Sequence, residues 1–190
     1  MRITYYTAST VNGFLATPDD SLDWLFAVPE DGLDIEGFQA GVTALVMGST
    51  TYEWVLAAAG LLESPELWTE FFGARPSFVF TTRELPVPAG ADVWFVSGPV
   101  ADVLPQLADA AGDGVLWVQG GGDLAGQFAD IGALDEIVIS LAPVFLADGR
   151  ELLPRNLFSD RIVLTGVQQR GQFAEVTYAV RPLPEVPAAP

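Results

Sequence analysis

"WVQGGGDLAGQF", residues 117–128, sets three consecutive glycines between an apolar strand-like run and a helix-like run. Glycine is costly in ordered structure, because it loses more backbone freedom on folding than any other residue. One glycine is enough to bend a chain. Three imply that something comes close to the backbone. Glycines after a strand and before a helix let a phosphate approach the main chain, where a helix start offers free amides and a partial positive charge. The competing reading is a tight crossover in which the glycines only relieve crowding. Asp123 can cap the helix and face away from an anion. The spacing differs from the dinucleotide fingerprint G-x-G-x-x-G, and no acidic residue follows about 20 positions on.

Working outward, strands and helices alternate. "RITYYTAST" predicts a strand over 2–8, and "VNGFLATPDDSLDWL" reads as an irregular, aromatic loop. "DIEGFQAGV" is a helix weakened by its glycines, and "TALVMG" a short buried strand. "STTYEWVLAAAGLL" predicts a helix with a hydroxyl N-cap and Glu53 in its first turn. "ELWTEFF" is a short helix. "PSFVFTTREL" holds a strand that turns polar at Thr81, and "ADVWFVSG" another strand. "PVADVLPQLADAA" is a helix that opens at Pro99 and tolerates Pro105. "LDEIVISLAPVFL" is a long strand broken at Pro143. Residues 161–180 form a hairpin turning near Arg170-Gly171. Trp54, Trp94 and Trp117 lie in apolar runs and read as core, Tyr52 as packing. This order predicts an α/β fold with a central, mostly parallel sheet, an antiparallel hairpin at one edge and helices on both faces. A single domain is expected over 1–182, with a Pro-rich disordered tail over 183–190.

Composition narrows the function. The 190 residues contain no cysteine and no histidine, and all eight basic residues are arginines. Disulfides, thiolate metal sites, a cysteine nucleophile and a Ser-His-Asp triad are excluded, and no metal site is expected. The net charge of −17 argues against nucleic acid. Any anionic ligand must be held by amides, hydroxyls and a few arginines. No apolar run reaches the roughly 20 residues that span a bilayer, and the N-terminus does not read as a signal peptide. The expected location is cytoplasmic, with no membrane partner.

Two further stretches share the geometry of the glycine run. "MGSTTYE" offers Ser49, Thr50 and Thr51 at a helix start, and "FTTREL" offers Thr81, Thr82 and Arg83 at a strand end. In one parallel sheet, three such ends lie along one edge and can serve one dinucleotide.

These pieces, with "TASTVNGFLA", "DSLDWL" and "LDEIVISLAPVFLADGRELLP", resemble the dihydrofolate-reductase-like superfamily. The likeness is greatest to the reductase domain of the bifunctional riboflavin-biosynthesis deaminase–reductase and its stand-alone bacterial relatives. It covers roughly residues 2–180. The resemblance implies NADPH along the strand ends and a homodimer. It implies that Gly48, Ser49, Thr50 and Thr51 contact the cofactor phosphates, and that Thr81, Thr82 and Arg83 lie by the adenosine and its 2′-phosphate. Gly120, Gly121, Gly122, Asp123 and Leu124 would line the pyrophosphate and nicotinamide side. Ala8, Asn12, Gly13 and Phe14 would border the reaction space, with Trp24 closing the substrate side. The candidate catalytic residues are Asn12, Trp24 and Asp34. A proton would come from solvent or from Asp31, Asp34 or Glu36. Two positions depart from the family. Ser49 stands where relatives commonly carry arginine, which leaves NADH as the alternative cofactor. Asn12 stands where many carry aspartate, and it can neither give nor take a proton. The implied activity is hydride transfer to a pterin, a ribosylaminopyrimidine-like heterocycle or a carbonyl. The alternatives are a non-catalytic binder that keeps the fold, or a reductase using another redox cofactor such as a flavin.

Overall fold

The computed structural model describes residues 1–29 and 34–183. In chain order the elements are β1 (Arg2–Thr10), β2 (Phe14–Ala16), α1 (Asp23–Phe26), α2 (Ile35–Gln39), β3 (Val42–Gly48) and α3 (Ser49–Ala58). Then come α4 (Glu66–Phe72), β4 (Ser77–Phe80), β5 (Val93–Val96), α5 (Val100–Ala111), β6 (Val115–Gly120) and α6 (Gly122–Asp130). β7 (Glu136–Ala142), β8 (Arg150–Glu151), β9 (Ile162–Arg170) and β10 (Phe173–Val180) complete the chain.

Eight strands form one sheet in the order β5-β4-β3-β6-β1-β7-β10-β9. The first six run parallel, and β10 and β9 are antiparallel. Interior parallel strands are covered on both faces and therefore read as continuous apolar runs. "ALVM" of β3, fully buried, is one. The two faces carry separate cores. On one, α5 and α6 bring Val103, Leu107, Leu124 and Phe128 against Ile3, Tyr5, Val46 and Leu116. On the other, α3 and α4 bring Tyr52, Leu56 and Trp68 against Leu45, Met47 and Val79. The helices after the neighbouring strands β3 and β6 thus leave to opposite faces. That divergence opens a crevice at the carboxyl ends of the two strands, where ligands bind in such sheets.

Several local expectations shift. β1 extends to Thr10. The loop after it contains β2, paired with β8, and the four-residue α1. No hydroxyl caps α3: Gly48 is its N-cap, Ser49, Thr50 and Thr51 are its first three residues, and Glu53 lies beyond the first turn. Asp123 does not cap α6 either. It sits inside the helix, and Gly121 is the N-cap. The hairpin turns through Gly171 (φ 58°) and Gln172, one residue later than the centre read from sequence. Trp94 is exposed, because β5 is an edge strand, whereas Trp117 packs edge-on against Phe38. At the other edge, β9 exposes Leu164 and Val167. Most of the proposed tail, 184–190, lies outside the described residues. Among the described residues no helix is long and apolar enough to cross a membrane.

Three buried tyrosines tie the layers together. Tyr5 donates its hydroxyl to the carbonyl of Leu152 at 2.9 Å, Tyr52 to that of Pro86 at 2.7 Å, and Tyr6 to Glu175 at 3.0 Å. Burial raises the pKa of all three, pushing Tyr6 and Tyr52 up to about 12. A folded-state pKa above the unfolded value of 10.0 means that the unfolded chain releases the proton first. The tyrosines' contribution to stability is therefore expected to be constant below about pH 10 and to be lost as pH climbs from there through 12. Urea midpoints across that range check this, and the slope should shrink in Tyr52→Phe.

Candidate functional site

A cleft of about 630 Å³ opens at the carboxyl edge of the sheet. That volume suits a small-molecule site. Its floor is made of strand ends: Thr7 and Ala8 of β1, Gly48 of β3, Phe80 of β4, and Gln119 and Gly120 of β6. Two helix starts face it, Ser49–Thr51 of α3 and Gly121–Leu124 around the start of α6. The opposite wall comes from β2, the loop 17–22, α1 and β8, through Leu15, Asp20, Leu22, Leu25, Arg150 and Glu151.

The three glycines have three separate reasons. Gly120 adopts φ +139°, a conformation L side chains rarely adopt. Gly122 is crowded by protein: a Cβ there would run into the carbonyl oxygens of Glu151 and Leu152. Gly121 is neither. Its backbone (φ −78°, ψ −178°) is open to any residue, and a Cβ on it would meet nothing within 4 Å. It is cis-linked to Gly120 and lines the cleft. Gly48 abuts this point, since a Cβ on it would lie 3.8 Å from the Gly121 nitrogen.

Neither α3 nor α6 has a side chain bonded to its N-terminal amides. The first N–H groups of a helix have no intrahelical partner. Two unsatisfied amide clusters, each carrying the positive end of a helix dipole, therefore meet at one crevice. Asp123 is turned to other work. It accepts from Gln127 Nε2 and Arg155 Nη2, both at 2.9 Å, and these bonds, Gln127's first, hold its pKa below the usual carboxylate value. Arg155 also reaches Asp130 at 2.8 Å, and so clamps the segment after β8 along α6.

Of the residues singled out by sequence, Ala8, Gly48, Ser49, Thr50, Thr51, Gly120, Gly121, Gly122, Asp123 and Leu124 line this cleft together. Others lie elsewhere. Asn12 is spent on a loop clasp: Nδ2 donates to the Leu146 carbonyl at 2.6 Å, and Oδ1 accepts from the Leu146 amide and the Thr10 hydroxyl. Gly13, beside it, supplies a turn (φ +84°) and accepts from Leu152 N. Asp34 is the N-cap of α2, accepting from Gly37 N at 3.0 Å, and is not among the residues that line the cleft. Glu36 sits in the first turn of the same helix, and Asp31 lies outside the described residues. Trp24 packs on Val28, Ala142 and Phe173 in a satellite cluster. The aromatic wall of the cleft is Trp54, read from sequence as core, with Phe26 stacked on it at 5.9 Å.

Thr81, Thr82 and Arg83 do not line the cleft, although Phe80 before them does. Arg83 makes a two-pronged pair with Glu53, with Nη1–Oε1 at 2.9 Å. The pair is exposed, and such pairs contribute little to stability. Arg83→Ala is therefore expected to leave the melting temperature unchanged and to affect NADPH and NADH binding equally. A loss confined to NADPH in paired titrations would return Arg83 to the 2′-phosphate site.

Arg150, Asp20 and Gln119 are among the polar residues of the cleft that the sequence did not single out. Arg150 binds Asp20 with both prongs, Nε–Oδ1 at 2.6 Å and Nη2–Oδ2 at 3.1 Å, tying β8 to the loop at the mouth. Gln119 lines the floor, and its Oε1 is buried with no partner. Its signal was in the sequence: a polar residue at the end of an apolar strand, directly before the glycines.

The family model of the RibD C-terminal domain matches residues 2–174. The chain belongs to this family. Among curated proteins, this RibD C-terminal domain chain is 25% identical over 178 residues to the uncharacterized protein YwjB of Bacillus subtilis (strain 168), covering 93% of the chain and 97% of YwjB. Among solved structures, a candidate riboflavin biosynthesis protein from Shewanella sp. PV-4 matches with a TM-score of 0.74 at 25% identity, over 95% of this chain and 99% of that one. A dihydrofolate reductase from Enterococcus faecalis, complexed with NADP(H), matches with a TM-score of 0.59 at 16% identity, over 94% and 96%. The RibD C-terminal domain here thus has the dihydrofolate-reductase-like fold.

Proposed function

We propose that this chain is an NADPH-dependent reductase that delivers hydride to a small heterocycle of the pterin or aminopyrimidine kind. The observation that carries the reading is the meeting of two helix starts without side-chain caps, α3 and α6, at the β3–β6 crevice. A chain without lysine or histidine has few other means of holding a pyrophosphate, and amides at helix starts suffice for that task. Membership of the RibD C-terminal domain family and the NADP(H) complex of the Enterococcus reductase support the choice of cofactor.

The residues fit the cofactor. The amides of Ser49 and Thr50 and those of Gly121 and Gly122 would hold its phosphates, and open space at Gly121 admits close approach. When bound, the reduced nicotinamide supplies the hydride. The chain's own contribution is placement and dryness. Ala8 and Gly120 form a smooth floor, Trp54 and Leu22 an apolar wall, and Gln119 offers an uncharged acceptor. Holding two reactants in register is a large part of such catalysis. Asp20 and Asp123 are ion-paired and Asn12 lies outside the cleft, so the proton that follows hydride would come from water or from Glu151, the lining carboxylate with no arginine partner among the described residues.

Loss of dihydronicotinamide absorbance against a panel of pterins, aminopyrimidines and carbonyls tests the activity. Turnover of one heterocycle is expected. NADPH binding with no turnover on any member would favour the non-catalytic binder.

A further inference from the structure

We infer that the substrate side of this cleft takes an uncharged or cationic heterocycle and turns away its phosphorylated counterpart. The inference rests on the reductase reading above and narrows its substrate class.

The side-chain cations of this protein are its eight arginines, all within the described residues. Only Arg150 lines the cleft, and Asp20 already occupies two of its donor groups. The neighbouring arginines are also engaged, Arg155 by Asp123 and Asp130, Arg83 by Glu53. On the acidic side, Glu151 in the cleft wall and Asp19 and Asp23 in the adjoining groove have no arginine partner among the described residues. The balance around the mouth is negative. The amide clusters that can hold phosphate are the two helix starts, and the cofactor uses both.

A substrate phosphate would thus have to take Arg150 from Asp20. It would then leave that carboxylate unpaired beside its own negative charge, and like charges so placed repel. The pair is also built into the loop. Asp20, at φ +64°, is the one non-glycine residue with positive φ among the described residues, and its carboxylate is held by Arg150. The polar group that does await a partner is uncharged: Gln119 Oε1, a buried acceptor suited to a ring N–H. Elsewhere in the cleft Leu15, Leu22, Leu25 and Trp54 offer apolar surface to a planar ring.

The test is calorimetric titration of the full chain, loaded with oxidised NADP so that no hydride is transferred, with two matched pairs: a hydroxyalkyl pterin and its phosphate ester, and a ribosylaminopyrimidine and its 5′-phosphate. At least one uncharged member is expected to bind, with its phosphate ester weaker by on the order of tenfold or more. Added salt should narrow the gap by screening the repulsion. In Asp20→Asn, which frees Arg150, the gap should close. Equal or tighter binding of the phosphate esters in the wild type, binding of neither member of either pair, or a gap that widens with salt would each overturn the inference. A gap unchanged in a folded Asp20→Asn overturns its assignment to the Asp20–Arg150 pair. NADPH is titrated first, in a separate run without heterocycle. If it does not bind, the reductase reading fails and the inference falls with it, which separates that failure from a wrong substrate class.

Discussion

Gly121→Val is expected to fold as the wild type does and to lose NADPH binding by on the order of 100-fold. The fold has room for a Cβ there, because the Gly121 backbone angles are open to every residue and a Cβ meets no protein atom within 4 Å. The cost that remains is that of a branched residue in place of glycine at an N-cap, about 1 kcal/mol. The ligand does not accept it. Branched carbons at the N-cap of α6 would hold a phosphate away from the amides that follow. A hydrogen bond to a charged group contributes about 1.5–3 kcal/mol, so losing one or two gives the expected factor. Urea melts paired with NADPH titrations check both halves. Unchanged affinity in a folded Gly121→Val would remove the start of α6 from the phosphate site.

One residue on, the opposite result is expected. Gly122→Ala should destabilise the fold by about 3 kcal/mol, at the upper end of what overpacking costs. Its Cβ is aimed at the backbone carbonyls of Glu151 and Leu152, and a backbone cannot rotate aside as a side chain can. The same stretch receives the Tyr5 hydroxyl at Leu152 and is clamped to α6 through Arg155, so neither partner yields easily. The shift should appear in the urea midpoint with or without ligand. A Gly122→Ala as stable as the wild type would show that the 151–152 segment moves freely against α6.

The two glycines mark how far the sequence could be read. Alternating apolar runs and glycine-rich strand ends announced the mostly parallel sheet, since a strand buried on both faces must be apolar throughout. Local sequence also announced the two helix starts, as each is built from adjacent residues. It could not distinguish Gly121 from Gly122, because what crowds Gly122 arrives from 151–152, about 30 positions away. Asp34 looked available for chemistry until its bond to Gly37 N made it a cap. Asn12 looked central until Leu146, 134 positions on, took both ends of its amide. Arg150 and Asp20 are 130 positions apart and meet through the β2–β8 pairing, a contact too brief to leave a periodic signal. Trp24 and Trp54 both stand among apolar residues, and only tertiary packing assigns one to a satellite core and the other to the cleft.

The proposed role of the two uncapped helix starts at the β3–β6 crevice is to hold a nicotinamide dinucleotide. Equilibrium titration of the wild-type chain with NADPH, followed by calorimetry, tests it most directly. Saturable binding of one NADPH per chain, with an affinity that Gly121→Val weakens and Arg83→Ala does not, is the predicted result. No binding of either NADPH or NADH at millimolar concentration would contradict it.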